Sequence, residues 1–295
     1  MTTEYQGIFT ALTTPYDQDE IAPERLRENI EKYNQWGLAG YVVGGSTGEN
    51  VLLTDDECLK LVEIAREASA PGRKLIAGTA RASVRQTISF TNQAADLGAD
   101  AALIVLPHYY KGLMSPDALR AYFLSVADKA KIPIIIYSIP QNTGVTPSPG
   151  LIIELSQHSN ILGIKDSSGN LTLLQEAYPC MAPGSMFLLG AGSILLPGLH
   201  LGASGGILTL GAVAPELCVR LYELFQAEDW DKGWHLQMDL VPLNQAITKY
   251  HGVPGAKHAL DLRGYYGGPC RLPLLPLDDQ AKQKIQTILE KLQLI

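Results

Sequence analysis

A (β/α)8 TIM barrel with a C-terminal helical extension is the fold class that this 295-residue sequence predicts. Three observations predict it. Eight short apolar runs alternate with longer amphipathic segments, the alternation of strand and helix expected of an α/β fold. The runs are nearly continuously apolar, as parallel strands are when both faces are covered. The segments between them open on recognisable helix start signals.

The strands are expected at residues 8–13, 40–43, 75–78, 101–106, 133–137, 161–165, 186–189 and 203–208. Pro23 sits where proline is favoured in a first helical turn. Thr54 followed by Glu57 reads as a capping box, with hydroxyl and carboxylate satisfying each other's backbone N–H groups. Ser115-Pro116 and Ser148-Pro149 repeat a cap-then-proline pattern, and Gly37, Gly98 and Gly202 stand where helices should stop. Helices at 229–250, 254–262 and 278–294 follow the barrel, with a turn at 264–269 between the last two. The division is a catalytic barrel over 1–225 and a helical extension over 226–295. A doubly wound sheet is the alternative architecture, because it shares the same alternation.

Composition narrows the function. Hydrophobic residues make up 46% and charged residues 18%, the balance of a chain that packs a core rather than one that stays disordered. A net charge of -7 leaves no basic stripe to neutralise phosphates, which excludes nucleic acid as a partner. No apolar stretch reaches transmembrane length, and the first residues lack the basic and apolar regions of a signal peptide, so a cytoplasmic location without membrane association is expected. Cys58, Cys180, Cys218 and Cys270 form no CxxC pair, and the histidines form no HExxH pair. No metal and no cofactor is therefore expected.

The chemistry starts at Lys165. It ends the apolar run 161–165 and is followed at once by Asp166-Ser167-Ser168-Gly169. An ammonium at the end of a buried strand is costly. A lysine held away from water can instead act as a neutral amine, a nucleophile toward carbonyl carbon. Active sites of barrels lie at the C-terminal ends of the strands. Reading those ends adds Thr13-Thr14 after the first strand, Gly44-Gly45-Ser46-Thr47-Gly48-Glu49 after the second and His108-Tyr109-Tyr110 after the fourth. It also adds Tyr137 to Gly144 after the fifth and Gly190-Ala191-Gly192-Ser193 after the seventh. The 44–49 loop offers backbone N–H groups and two hydroxyls to a small carboxylate, and it lacks both the GxGxxG spacing and a Walker lysine. Tyr137 lies one strand before Lys165. Adjacent strands are about 4.8 Å apart, so phenol and amine converge.

These residues resemble the dihydrodipicolinate synthase / N-acetylneuraminate lyase family of Schiff-base (class I) aldolases. The residues that carry the resemblance are Gly45-Ser46-Thr47-Gly48-Glu49, Tyr109, Tyr137 with Pro140, Thr143 and Gly144, and Lys165-Asp166-Ser167. It spans nearly the whole chain, from Gly7 to the Arg271-Leu272-Pro273 stretch. It implies a metal-independent carbon–carbon lyase in which Lys165 forms an imine with pyruvate or another 2-oxo acid and Tyr137 carries protons. It further implies that Ser46 and Thr47 bind the substrate carboxylate, with Thr47 also in the proton relay. Tyr109 matches a tyrosine that the family supplies across a subunit interface, with Tyr110 as the fallback. Gly190 and Ile207 match pocket-lining backbone positions, and Ser167 would reach a longer substrate. The assembly implied is a homotetramer, a dimer of dimers.

The second substrate depends on Asn142. Synthases of the family carry an arginine at that position to hold the carboxylate of aspartate semialdehyde, and asparagine offers no bidentate charged fork. The segment 137–144, the Tyr109 to Ser115 loop and the stretch 265–271 more closely resemble the 4-hydroxy-2-oxoglutarate aldolase branch, whose products are pyruvate and glyoxylate. Thr47, however, stands where that branch's animal members have asparagine. Cleavage of 4-hydroxy-2-oxoglutarate is thus the expectation. 4-Hydroxy-tetrahydrodipicolinate synthesis is the alternative, followed by sialic acid or 2-keto-3-deoxy sugar acid cleavage. A silent barrel that senses 2-oxo acids is the non-enzymatic reading.

Overall fold

The structure, a computed structural model, describes residues 3–295. Eight parallel strands close into a barrel: β1 (Gly7–Ala11), β2 (Gly40–Val43), β3 (Lys74–Gly78), β4 (Ala101–Val105), β5 (Ile134–Ser138), β6 (Ile161–Asp166), β7 (Met186–Leu189) and β8 (Gly205–Leu208). Closure comes from β1, which pairs with β2 through Phe9 and Gly40 and with β8 through Gly7 and Gly205. A closed barrel rules out the doubly wound alternative. All eight expected strands are present, most within one or two residues of the expected ends.

The apolar runs have a simple cause. Along each strand, side chains alternate between two buried faces. Phe9, Val42, Ile76, Leu103, Ile135 and Leu188 fill the barrel interior, whereas Ile8, Tyr41, Leu75, Ile104, Ile136 and Phe187 pack outward against helices. Lys165 and Tyr137 are register partners and take the inward phase at the top of that interior stack.

The outer layer is α1 (Pro23–Tyr33), α2 (Asp55–Ala68), α3 (Val84–Asp96), α4 (Pro116–Ala127), α5 (Pro149–Leu155), α6 (Leu171–Ala177), α7 (Leu195–His200) and α8 (Pro215–Gln226). The reciprocal Thr54–Glu57 capping box forms as expected, and the Ser115 and Ser148 hydroxyls accept from Ala118 and Leu151 N–H groups. Gly98 and Gly202 follow helix ends with φ of 92° and 99°. Gly37 does not end a helix: α1 stops at Tyr33, capped by Asn34.

The extension consists of α9 (Trp230–Asn244), α10 (Gly252–Leu262) and α11 (Asp279–Lys291). The single helix expected over 229–250 is in fact two geometries, because a π-helical turn, Gln245–Tyr250, takes over from α9. Such wide turns recur at functional sites. Here the turn brings Ile247 and Thr248 to the cavity above the barrel. Among the described residues, no helix is long and apolar enough to cross a membrane.

Candidate active site

Lys165 is 5% exposed and Tyr137 4% exposed, so both are enclosed at the C-terminal mouth of the barrel. The Lys165 Nζ lies 4.1 Å from the centroid of the Tyr137 ring. The Tyr137 hydroxyl in turn lies 3.4 Å from Ser46 Oγ. Amine, phenol and serine hydroxyl thus form a continuous line from β6 through β5 to the loop after β2.

That loop is tightly folded. Ser46–Gly48 makes one 3-10 turn and Asn50–Leu52 a second, with Glu49 between them in the left-handed conformation at φ 57°. Gly48 and Glu49 N–H groups donate to the Gly45 and Ser46 carbonyls. The loop therefore uses the Gly48 and Glu49 backbone donors on itself, so these two of the N–H groups expected to serve a carboxylate are already engaged. Ser46 and Thr47 still line the cavity. Thr47 Oγ1 pairs at 2.7 Å with Thr209 Oγ1. The loop reaches its place because β3 ends in glycine: a Cβ at Gly78 would stand 1.9 Å from the Gly44 carbonyl oxygen.

Two cavities meet here. The inner one, about 260 Å³, holds Lys165, Tyr137, Ser46 and Thr47, with Ser167, Gly190, Ile207 and Asn142 also on its walls. The outer one, about 560 Å³, is mostly apolar and shares Ser46, Tyr137, Ile139, Asn142 and Val253 with the first. Asn142 therefore stands where the two join. Gly190 N–H donates to the Asp166 carbonyl at 2.7 Å, and a Cβ there would collide with Ser167.

One expected residue is not gathered. Tyr109 is 87% exposed and Tyr110 67% exposed; their rings meet edge to face, and neither lines either cavity within the single chain. Gln141, within the Tyr137 to Gly144 strand end, lines the inner cavity as well, and three further wall residues lie outside the expected set: Thr209, Thr248 and Val253. Thr209 follows the eighth strand directly, so reading that strand end as the others were read finds it. Thr248 sits on the π-helical turn and Val253 in the first turn of α10, where no periodic pattern points inward.

Asp166, the neighbour of Lys165, takes the outward phase and is buried. Burial pushes its carboxyl pKa up, partly offset by hydrogen bonds that the Ser168 hydroxyl and backbone N–H donate to Oδ2. Among the described residues, no cluster of three His, Cys, Asp or Glu side chains forms a metal centre.

Comparison with known proteins places this geometry. The model of the dihydrodipicolinate synthetase family matches residues 4–292. A 4-hydroxy-tetrahydrodipicolinate synthase of Methanothrix thermoacetophila is 34% identical over 290 residues, 98% of this chain and 97% of its own. One from Listeria innocua is 33% identical over 288 residues, 97% of this chain and 98% of its own. Among solved structures, the dihydrodipicolinate synthase of Aquifex aeolicus superposes with a TM-score of 0.93 at 31% identity, covering 98% of this chain and 99% of that one. The chloride-inhibited dihydrodipicolinate synthase of Acinetobacter baumannii, solved with pyruvate, superposes at 0.93 with 27% identity, covering 98% and 99%. None of these relatives carries the name of a 4-hydroxy-2-oxoglutarate aldolase. The chain belongs to the dihydrodipicolinate synthetase family.

Proposed function

We propose that this protein is a pyruvate-dependent enzyme that makes or breaks a carbon–carbon bond through an imine on Lys165. The observation that carries this reading is the enclosure of the Lys165 amine against Tyr137, with Ser46 next in line. The amine adds to the keto carbon of pyruvate, giving a carbinolamine. Loss of water then leaves a protonated imine. That cation draws electrons from the adjacent carbon, so a methyl proton departs and an enamine forms. The enamine attacks an aldehyde carbon, and water releases the product and the lysine. Cleavage runs the same steps backwards. Ser46 and Thr47 hydroxyls donate to the carboxylate, which fixes the keto carbon opposite the amine. Tyr137 carries protons to and from the carbinolamine, with Ser46 as its neighbour in the relay.

For the second substrate, the named relatives favour aspartate semialdehyde and the synthase reaction. This displaces 4-hydroxy-2-oxoglutarate cleavage as the first reading, since none of the relatives reported above supports that activity. One observation keeps cleavage as the second reading: Asn142, at the junction of the two cavities, is uncharged where a synthase would need a cation for a distal carboxylate.

Borohydride reduction in the presence of pyruvate, followed by peptide mass analysis, tests the chemistry. The expected result is a stable adduct on Lys165; an unmodified Lys165 would leave a 2-oxo acid binding barrel instead. Parallel assays then decide the acceptor. Condensation of pyruvate with aspartate semialdehyde supports the first reading, and pyruvate release from 4-hydroxy-2-oxoglutarate without condensation supports the second.

A further inference from the structure

Glu49 closes the loop that presents Ser46 and Thr47, yet its carboxylate faces away from the inner cavity into the protein. Its side chain is 0% exposed, and that of its partner Lys257, on α10, is 1% exposed. Glu49 Oε1 lies 2.6 Å from Lys257 Nζ, a charge-to-charge contact without the alignment of a directed hydrogen bond. Glu49 Oε2 accepts the Arg271 backbone N–H at 2.9 Å. Lys257 also donates to the Pro269 carbonyl at 2.6 Å and lies 4.5 Å from the centroid of the Tyr16 ring. The Arg271 guanidinium lies 4.6 Å from the same ring centroid and donates to the Leu52 carbonyl, one end of the second 3-10 turn.

A buried ion pair is a poor way to gain stability, because both charges lose their water. Burial pushes the Lys257 pKa down, and the charge of Glu49 opposes that shift. Glu49 also holds a left-handed backbone that a non-glycine residue adopts only when its surroundings impose it. Neither charge touches the inner cavity. What the pair does fix is the joint between the two 3-10 turns, three residues from Ser46.

We propose that Lys257 is a positioning residue: anchoring Glu49 from the C-terminal extension sets the orientation of the Ser46 and Thr47 hydroxyls toward the substrate carboxylate. The proposal rests on the reading that those hydroxyls bind a 2-oxo acid. The extension thereby acts on the binding site through Lys257, a residue that does not itself line the inner cavity.

The test compares Lys257→Met, Glu49→Gln and the double variant with the wild type in the assay the enzyme supports, reading KM for pyruvate, kcat at saturation and the thermal midpoint. Each single variant should raise KM for pyruvate at least about tenfold, or 1.4 kcal/mol of lost binding, with kcat changed less than about threefold. The double variant removes the unpaired charge, so its thermal midpoint should recover toward the wild type. Its KM should stay high. If KM recovers together with the midpoint, or if the single variants keep the wild-type KM, the pair is merely structural and the proposal falls. Should Lys257→Met not fold, Glu49→Gln and the double variant carry the same comparison. Borohydride trapping of the wild type separates this outcome from failure of the functional reading: an adduct in the wild type with unchanged variants sinks only the positioning role, whereas no adduct in the wild type sinks both.

Discussion

Tyr137 does two jobs that one substitution separates. Its ring face packs against the Lys165 amine, and its hydroxyl reaches toward Ser46. Tyr137→Phe keeps the ring and removes only the oxygen. Proton transfer by a placed side chain contributes about 10²–10⁴-fold to rate. The variant should therefore still be trapped by borohydride with pyruvate while its kcat falls by about two to four orders of magnitude. Steady-state kinetics beside the trapping reaction checks this. A kcat within a fewfold of the wild type would make Tyr137 a packing residue and move the proton carrier elsewhere in the Ser46, Thr47 and Thr209 group of hydroxyls.

Among the elements, the loop after β2 depends on what its neighbours lack. Gly78 has no side chain, and the Gly44 carbonyl occupies the space that a Cβ would need. Backbone cannot swing aside as a side chain can. Gly78→Ala should cost about 1–3 kcal/mol, the usual range for overpacking, and should also weaken pyruvate binding, because the displaced segment carries Ser46 and Thr47. Gly150 in α5 is the control: nothing lies within 4 Å of an added Cβ there. Gly150→Ala should leave binding unchanged and be neutral or stabilising by up to about 1 kcal/mol. Denaturant melts and pyruvate titrations of the two variants distinguish them, and equal behaviour would mean that the loop tolerates the shift. The same contrast explains what could be read from sequence. Strands showed because both of their faces are buried, and helix starts showed because Thr54, Ser115 and Ser148 cap through local hydrogen bonds. Lys165, Tyr137, Ser46 and Thr47 showed because a barrel gathers its strand ends. The Glu49–Lys257 pair did not, since its partners are far apart in the chain and no local pattern links them. The π-helical turn was hidden for a different reason: it continues α9 without a break in composition, and only its hydrogen bonding changes.

For the whole molecule, the open question is what covers the outer cavity. Its wall carries Val51 at 84% exposure, and the chain segments that supply its wall residues His108, Pro273 and Leu274 also carry Tyr109, Tyr110, Leu113, Leu272 and Leu275, large apolar or aromatic side chains left exposed. Exposed apolar side chains in that number mark an interaction surface. We propose that a second copy of the chain covers it, and that Tyr109 reaches the neighbouring site rather than its own. Tyr109→Phe chains keep Lys165, and Lys165→Ala chains keep Tyr109. If sites are shared, unfolding and refolding the two inactive variants together creates hybrid sites with an intact lysine from one chain and an intact tyrosine from the other. A mixed sample should then recover a measurable fraction of wild-type activity that neither variant shows alone. Size-exclusion chromatography with light scattering should find a dimer or a larger assembly in every sample. Monomers throughout, or an inactive mixture that is nonetheless oligomeric, would return Tyr109 to an ordinary exposed aromatic and leave each barrel with a self-contained site.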